Sequence, residues 1–588
     1  MSRKSPLVII FLGLTLLTGA CSTSSPEAPA IVPSAVPLTP EVVPPTAIAG
    51  AAISADPPTR TPRPYSPARG ESFLSDKNEF FAAAGNCVVC HMNNFDESGS
   101  DVSIGEYWRS TMMANSAIDP YYLAGVSMNI DHFPEYGAAI ESKCSTCHMP
   151  MAHFSDLFNG AESLIFGPEG YLDHQNPLHK LASDGVSCTA CHQIQDEGLG
   201  DFLSFSGGFA IDNKAPMGAR TLFGRFDILQ SSQNMMANSS GFISEKTDHL
   251  IESELCATCH DLYTQYVTED GTFSEEWFPE QTPYSEWLNS DYATRSTCQD
   301  CHMPLAEGSV VLSSMGPGGP RSPFAKHSFV GGNAYMLDIL KNFGGELGVQ
   351  AGADHFEATL ERTLTQLQSN TAELTISPPV LEDSLLSLDV SINSFSGHKL
   401  PTGYPSRRAW LHVRIEDGDG QLIFESGAAE VNGAIVGNEN DQNALAFEAH
   451  YNEITRPDQV QIYESIMHDV SGNLTTVLLS ASSYSKDNRL LPAGFDKTSV
   501  TNAIAPAGNA LTDGNFTGGV DSVTYLIDTG NTAGPFLADV ELLYQSISYR
   551  WAEDLSAYNT EQSNQFTDYY NTLTNLPVIL AVKVVHSD

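Results

Sequence analysis

DGVSCTACHQI (residues 184–194) sets two cysteines three positions apart with a histidine directly after the second: Cys188, Cys191 and His192. Working outward, the same Cys-x-x-Cys-His pattern recurs at Cys87, Cys90 and His91, at Cys144, Cys147 and His148, at Cys256, Cys259 and His260, and at Cys298, Cys301 and His302. At the chain's Cys and His frequencies such a pattern is expected about 0.006 times by chance, so five copies identify the c-type haem attachment signature. Two thiols at this spacing add to the two vinyl groups on one haem edge, and the adjacent histidine becomes the proximal iron ligand. A zinc site would pair Cys-x-x-Cys units without a fixed histidine, and structural disulfides would leave the five histidines unexplained. The cofactor set is therefore five haem c.

Five six-coordinate irons need five further ligands. One histidine precedes each of three motifs at a similar offset: His132, His179 and His249. None reaches round its own haem over so short a segment, so each is assigned to a neighbour. His327 and His398 complete the distal set, with His153 and His174 as substitutes and Met112, Met113, Met149, Met151 and Met303 as sulfur alternatives. Met149 and Met303 directly follow a proximal histidine, which suits packing against a haem. Arg109, Arg407 and Arg408 are candidates for pairing with haem propionates or for ordinary salt bridges.

Around the motifs, residues 71–368 read as a mostly α and irregular multihaem domain. Asp119 can cap a helix with Pro120 at its first position, and Phe356, Leu360, Leu364 and Leu367 mark an amphipathic helix over 353–368. From 369 the period becomes two. Leu386, Leu388, Val390 and Ile392 form one alternating run, Leu411, Val413 and Ile415 another, and Asp417-Gly418-Asp419-Gly420 turns the chain into Leu422-Ile423-Phe424. Further strands are expected at 474–479, 523–527, 540–544 and 578–585, with one helix over 551–572. Residues 369–588 are thus expected to form a β-sandwich-like domain, and the fold class is α+β multidomain.

At the other end, Arg3, Lys4 and the apolar run Leu7–Leu17 read as an export signal too short to span a bilayer. The stretch Leu17-Thr18-Gly19-Ala20-Cys21 resembles a lipobox, which implies lipidation of Cys21, a signal peptide over 1–21 and a membrane anchor. Ser22 after the cysteine favours an outer-membrane lipoprotein facing periplasm or cell exterior. Twelve of the 34 prolines fall between Pro26 and Pro67, so residues 22–70 read as an extended tether. The net charge is −43, from 28 Lys and Arg against 71 Asp and Glu. That field excludes nucleic acid as a partner. It suits either a saline habitat or the steering of a basic redox partner.

The segments WRSTMMANSAIDP (108–120), DGVSCTACHQI (184–194), HLIESELCATCH (249–260), CQDCHMP (298–304), HSFVGGNAYML (327–337) and GHKLPTGYPSRRAWLHV (397–413) together resemble a bacterial family of multihaem c-type cytochromes. The CHMP pieces also resemble the class that contains pentahaem nitrite reductases, tetrahaem cytochrome c-554 and hydroxylamine oxidoreductase. The resemblance implies closely stacked haems and electron transfer between redox partner proteins. Those nitrite reductases mark the catalytic haem with Lys in the proximal place, and no Cys-x-x-Cys-Lys occurs here. The expected function is electron transfer. The alternatives are a reductase or oxidase of a small nitrogen or sulfur oxyanion at one open haem, and a docking subunit of an outer-membrane electron conduit.

Overall fold

Helical turns, rather than long helices, organise the first half of the chain. The computed structural model describes residues 73–316 and 318–587; the signal segment with Cys21 and the 22–70 tether lie outside the described residues. Each attachment motif occupies a short helix or its end: Gly85–Val88, Gly137–His148, Cys188–Cys191, Ser253–His260 and Cys298–His302. One helical turn puts the i and i+3 cysteines and the i+4 histidine on one face. Asp119 caps Pro120–His132 as expected, its side chain accepting from the Tyr121 and Tyr122 amides. The helix Ala353–Asn370 buries Leu367 in the core of the strands that follow and Phe356 against Ala334–Leu347. Gly348, which ends the latter at φ 75°, supplies the left-handed stop that a side chain disfavours.

The alternating runs form two facing sheets, so the fold is mixed α and β. In one, Leu385–Ser394 runs between Ala372–Ile376 and Val520–Asp528, with Val380–Glu382 and Glu453–Ile454 at the margins. In the other, Arg408–Asp417 pairs with Leu422–Ser426 and Phe536–Gln545, and Val578–His586 follows outside. Leu386, Leu388, Val390 and Ile392 from the first sheet share one apolar core with Leu411, Val413, Val540 and Leu542 from the second. Burying such side chains is worth about 1.5–3 kcal/mol each. The Asp417–Gly420 turn closes a hairpin, with the Asp417 carboxylate accepting from the Asp419 and Gln421 amides.

Two expectations are corrected. No strand runs through 474–479: Leu474 makes a single bridge to His468, and Leu478–Ser480 is a 3-10 turn. There the chain bonds outward instead, the Leu479 amide donating to Asn129 Oδ1 and its carbonyl accepting from Val267. The late helix is two, Tyr549–Ser556 and Glu561–Thr572. Thr560 caps the second by accepting from the Ser563 amide, so the chain restarts a helix inside a stretch of continuous helical periodicity.

The described residues belong to one compact unit. Part of its cohesion is a buried ionic network. Glu286 meets Arg489 (3.0 Å), Arg489 meets Asp487 (2.8 Å), and Asp487 meets Lys399 (2.6 Å). Each of these side chains is at most 6% exposed. The network joins the helix Pro283–Leu288 to segments that flank the sandwich.

Candidate haem-binding cavity

The five motif turns open on one continuous cavity of about 1730 Å³. This exceeds the roughly 300–1,000 Å³ of an ordinary small-molecule site. Every motif cysteine except Cys90 lines it, as do His91, His148, His192, His260 and His302. None of the ten motif cysteines forms a disulfide. The thiols also meet across motifs. Cys87 is pushed well up chiefly by neighbouring Cys188, Cys147 by Cys259, and Cys256 by Cys298. Cys191 adds a weaker effect on Cys256. The first turn therefore adjoins the third, the third adjoins the fourth, and the second and fifth both adjoin the fourth.

Four motif imidazoles are oriented by backbone carbonyls. Nδ1 faces Leu312 O in His91 (3.0 Å), Ser116 O in His148 (3.2 Å), Phe223 O in His192 (2.7 Å) and Val330 O in His302 (2.5 Å). A carbonyl only accepts, so each Nδ1 carries the proton and Nε2 keeps its lone pair, which is the tautomer an iron ligand needs. Burial favours the neutral ring in four of the five: it lowers His91 and His192 and pushes His148 and His260 down to about 4. The second turn is held from outside by Gly207 (φ 81°), where an added Cβ would stand 2.2 Å from Thr146 Cγ2.

Two of the five distal candidates reach this cavity. His327 stands opposite His192 with ring centres 6.5 Å apart and planes 14° from parallel. His398 stands opposite His302 at 6.2 Å and 12°. Two imidazole nitrogens each about 2.0 Å from one metal hold their ring centres roughly 6 Å apart, so both gaps fit an iron. His398 Nδ1 donates to Lys399 O (2.9 Å), leaving Nε2 unprotonated. Burial pushes His398 down to about 4 and His327 to about 3. Nδ1 of His327 has only a poorly aligned acceptor in the Ala325 carbonyl.

The other three candidates are not brought to the cavity. His132 is exposed and meets the Tyr558 hydroxyl (3.2 Å). His179 spends Nδ1 on Tyr171 O and Nε2 on His174. His249 is buried with both nitrogens engaged, Nε2 donating to Ile194 O (3.0 Å) and Nδ1 accepting from Thr247 (2.6 Å). Here these rings serve local structure because protein groups already satisfy them. Of the substitutes, His153 lies between the Ser145 and Thr146 hydroxyls, and His174 is exposed. Met112, Met113 and Met303 line the cavity, whereas Met149 and Met151 are packed in apolar clusters.

The arginines separate in the same way. Arg408 is buried against Asp441 (2.8 Å) and Gly433 O, and Arg109 pairs with Glu106. Both are salt bridges within the protein. Arg407 lines the cavity.

The residues that hold His398 in place carry no local sequence signal. Glu286 Oε2 accepts from the Lys399 amide (3.1 Å) and from the Thr402 hydroxyl, bracketing the turn, while Ser290 donates to Gly397 O (3.1 Å). Tyr122 is likewise unforeseen. Its ring stacks on His148 at 3.7 Å and 2°, and its buried hydroxyl finds no partner. Only the fold brings positions 122 and 286 to the motifs.

No protein-family profile matches the chain, and no curated protein does. Among solved structures it is similar to a penta-heme cytochrome c552 from Thermochromatium tepidum, with a TM-score of 0.45 and 17% identity. The match covers 82% of this chain and 95% of that one.

Proposed function

We propose that this chain is a multihaem c-type cytochrome that transfers electrons between redox partners through five haem c groups. The observation that carries the reading is the single cavity onto which all five attachment turns open, with proximal imidazoles oriented by backbone carbonyls. The bound groups would supply reversible one-electron chemistry. The chain's residues do the rest. The ten cysteines would fix the groups in place, and His91, His148, His192, His260 and His302 would each offer an imidazole to the iron. His327 and His398 would supply the second ring at the third and fifth positions. Burial favours the neutral form of His91, His148, His192, His260, His327 and His398. The neighbouring thiols give the positions a connected order: first, third, fourth, with the second and fifth both beside the fourth.

A second reading has one observation in its favour. Among the described residues no further histidine lines the cavity opposite His91, His148 or His260. An open position there would suit reduction or oxidation of a small nitrogen or sulfur oxyanion. The proposal includes export and anchoring to the outer membrane through Cys21, where the acidic chain would meet a basic partner or an outer-membrane conduit.

The test is the mass and spectrum of matured protein. Five haems surviving denaturation and a wholly low-spin oxidised spectrum unchanged by nitrite or cyanide support the carrier. Fewer than five haems refutes the count, and a stoichiometric high-spin signal that cyanide abolishes transfers the assignment to the enzyme.

A further inference from the structure

Three cationic side chains line the cavity, Lys143, Arg225 and Arg407, and none of them forms an ion pair among the described residues. In a chain with 71 carboxylate side chains against 28 cations, an inward-facing cation without a carboxylate partner is unexpected. Burying part of such a charge costs free energy unless something answers it. We propose that Arg407 is the centre of an anion site on the cavity wall, beside the loop that carries His398, that takes a carboxylate or a small oxyanion. This rests on the multihaem reading above and goes beyond it by assigning one residue and one ligand chemistry.

The guanidinium has one bond within the protein, from Nη1 to Thr402 O (2.7 Å). Arginine presents five donors in a fork matched to a planar carboxylate, so most of that capacity faces the cavity. The carboxylate that holds the same turn, Glu286, is already committed to Arg489, to the Lys399 amide and to Thr402. The neighbouring Arg408 has found its carboxylate in Asp441, which shows that this strand start does not leave arginines unpaired in general. The bond to Thr402 O holds Arg407 in the loop that carries His398, whose ring faces His302 of the fifth turn. A guanidinium on the cavity wall with one of its five donors spent awaits an acceptor. Two sources provide that chemistry: a carboxylate of the bound porphyrin, or a small oxyanion from solution.

The test compares full-length holoprotein with Arg407→Gln and Arg407→Lys. Both changes disturb the bond to Thr402, but only the first removes the charge, so a merely structural role would affect both alike. Mass spectrometry first counts haems. Fewer than five in the parent protein fails the cytochrome reading, not this one. Spectroelectrochemical titration across pH then reads the potentials, and calorimetry with nitrite and with sulfite reads free-anion binding. If the ligand is a porphyrin carboxylate, Arg407→Gln lowers one potential of five and makes it pH dependent, and Arg407→Lys largely restores it. If the ligand is a free oxyanion, the parent binds one nitrite or sulfite per chain and Arg407→Gln weakens this at least ten-fold. Five attached haems with all potentials unchanged, together with anion binding that is absent or equal in both proteins, overturns the proposal.

Discussion

Replacing Glu286 tests whether the ionic network positions His398. The side chain is fully buried, with one oxygen 3.0 Å from Arg489 and the other accepting from the Lys399 amide and Thr402. Glu286→Ala would leave Asp487 alone between two buried cations, Lys399 and Arg489. Removing one member of a buried ion pair costs about 3–5 kcal/mol, because the remaining charge stays desolvated. The lost acceptor adds about 1 kcal/mol for the Lys399 amide. Glu286→Gln should cost less, since its carbonyl still accepts from that amide. Asp487 is held far below the ordinary carboxylate range by Arg489 and Lys399 against the cost of burial. Its folded value lies below its unfolded one, so its contribution is present at neutral pH and is lost only in strong acid. The assays are chemical unfolding at pH 7 and the oxidised spectrum. Glu286→Ala should lose several kcal/mol, and a fraction of one haem in five should become high-spin as the His398 turn loosens. A loss under about 0.5 kcal/mol, the range of a neutral surface change, together with an unaltered spectrum, would refute the reasoning.

His398→Ala and His327→Ala should each turn one haem of five high-spin while all five stay attached, seen by electron paramagnetic resonance and mass; a fully low-spin spectrum in either rejects that ligand. His412, which meets Glu425 (3.1 Å) and Glu541 (3.0 Å), has its pKa raised by both against burial. Its contribution is therefore full below about pH 6.5 and fades as pH rises through the folded value. Thus His412→Ala should destabilise at pH 5.5 far more than at pH 9 and leave the spectrum alone. Glu280 is pushed up to about 7 by burial, opposed by Lys143, so it penalises the fold increasingly as pH climbs from about 4.5 to 7. Glu280→Gln should then stabilise by up to about 3 kcal/mol at pH 8 and by little at pH 4.5, read by unfolding at both. Cys21→Ser should move the protein from the membrane to the soluble fraction, and unchanged fractionation would exclude a lipid anchor.

The sandwich was readable because each strand solves its burial locally. Leu386, Leu388, Val390 and Ile392 repeat at the pleat spacing and all face one core. The misread segments are those where burial is decided by distant partners. Residues 474–479 are apolar enough for a strand, yet their backbone bonds to Asn129 and Val267, hundreds of positions away. The break between the last two helices turns on Thr560, whose hydroxyl both caps the second helix and meets Ser127 (2.8 Å) on the helix Pro120–His132. Periodicity registers neither interaction.

The cavity divides along the same line. A Cys-x-x-Cys-His turn is self-contained: one helical turn presents all three groups, so the sequence names them. An opposing histidine is chosen by the tertiary fold, and offset along the chain is then a poor guide. His132, His179 and His249 share a similar spacing before a motif. Yet His249 is locked by Ile194 O and Thr247, and His179 by Tyr171 O and His174. His327 and His398 share no such offset, but they meet His192 and His302 across 135 and 96 positions, from 327 − 192 and 398 − 302. What separates the two groups is the state of Nε2: bonded to a protein partner in His179 and His249, bare towards the cavity in His398. That lone pair depends on where one backbone carbonyl, Lys399 O, holds the Nδ1 proton. The carbonyl in turn stays in place because the Lys399 amide is tied to Glu286. A ligand set of this kind is specified by hydrogen bonds to the backbone, which composition and spacing do not encode.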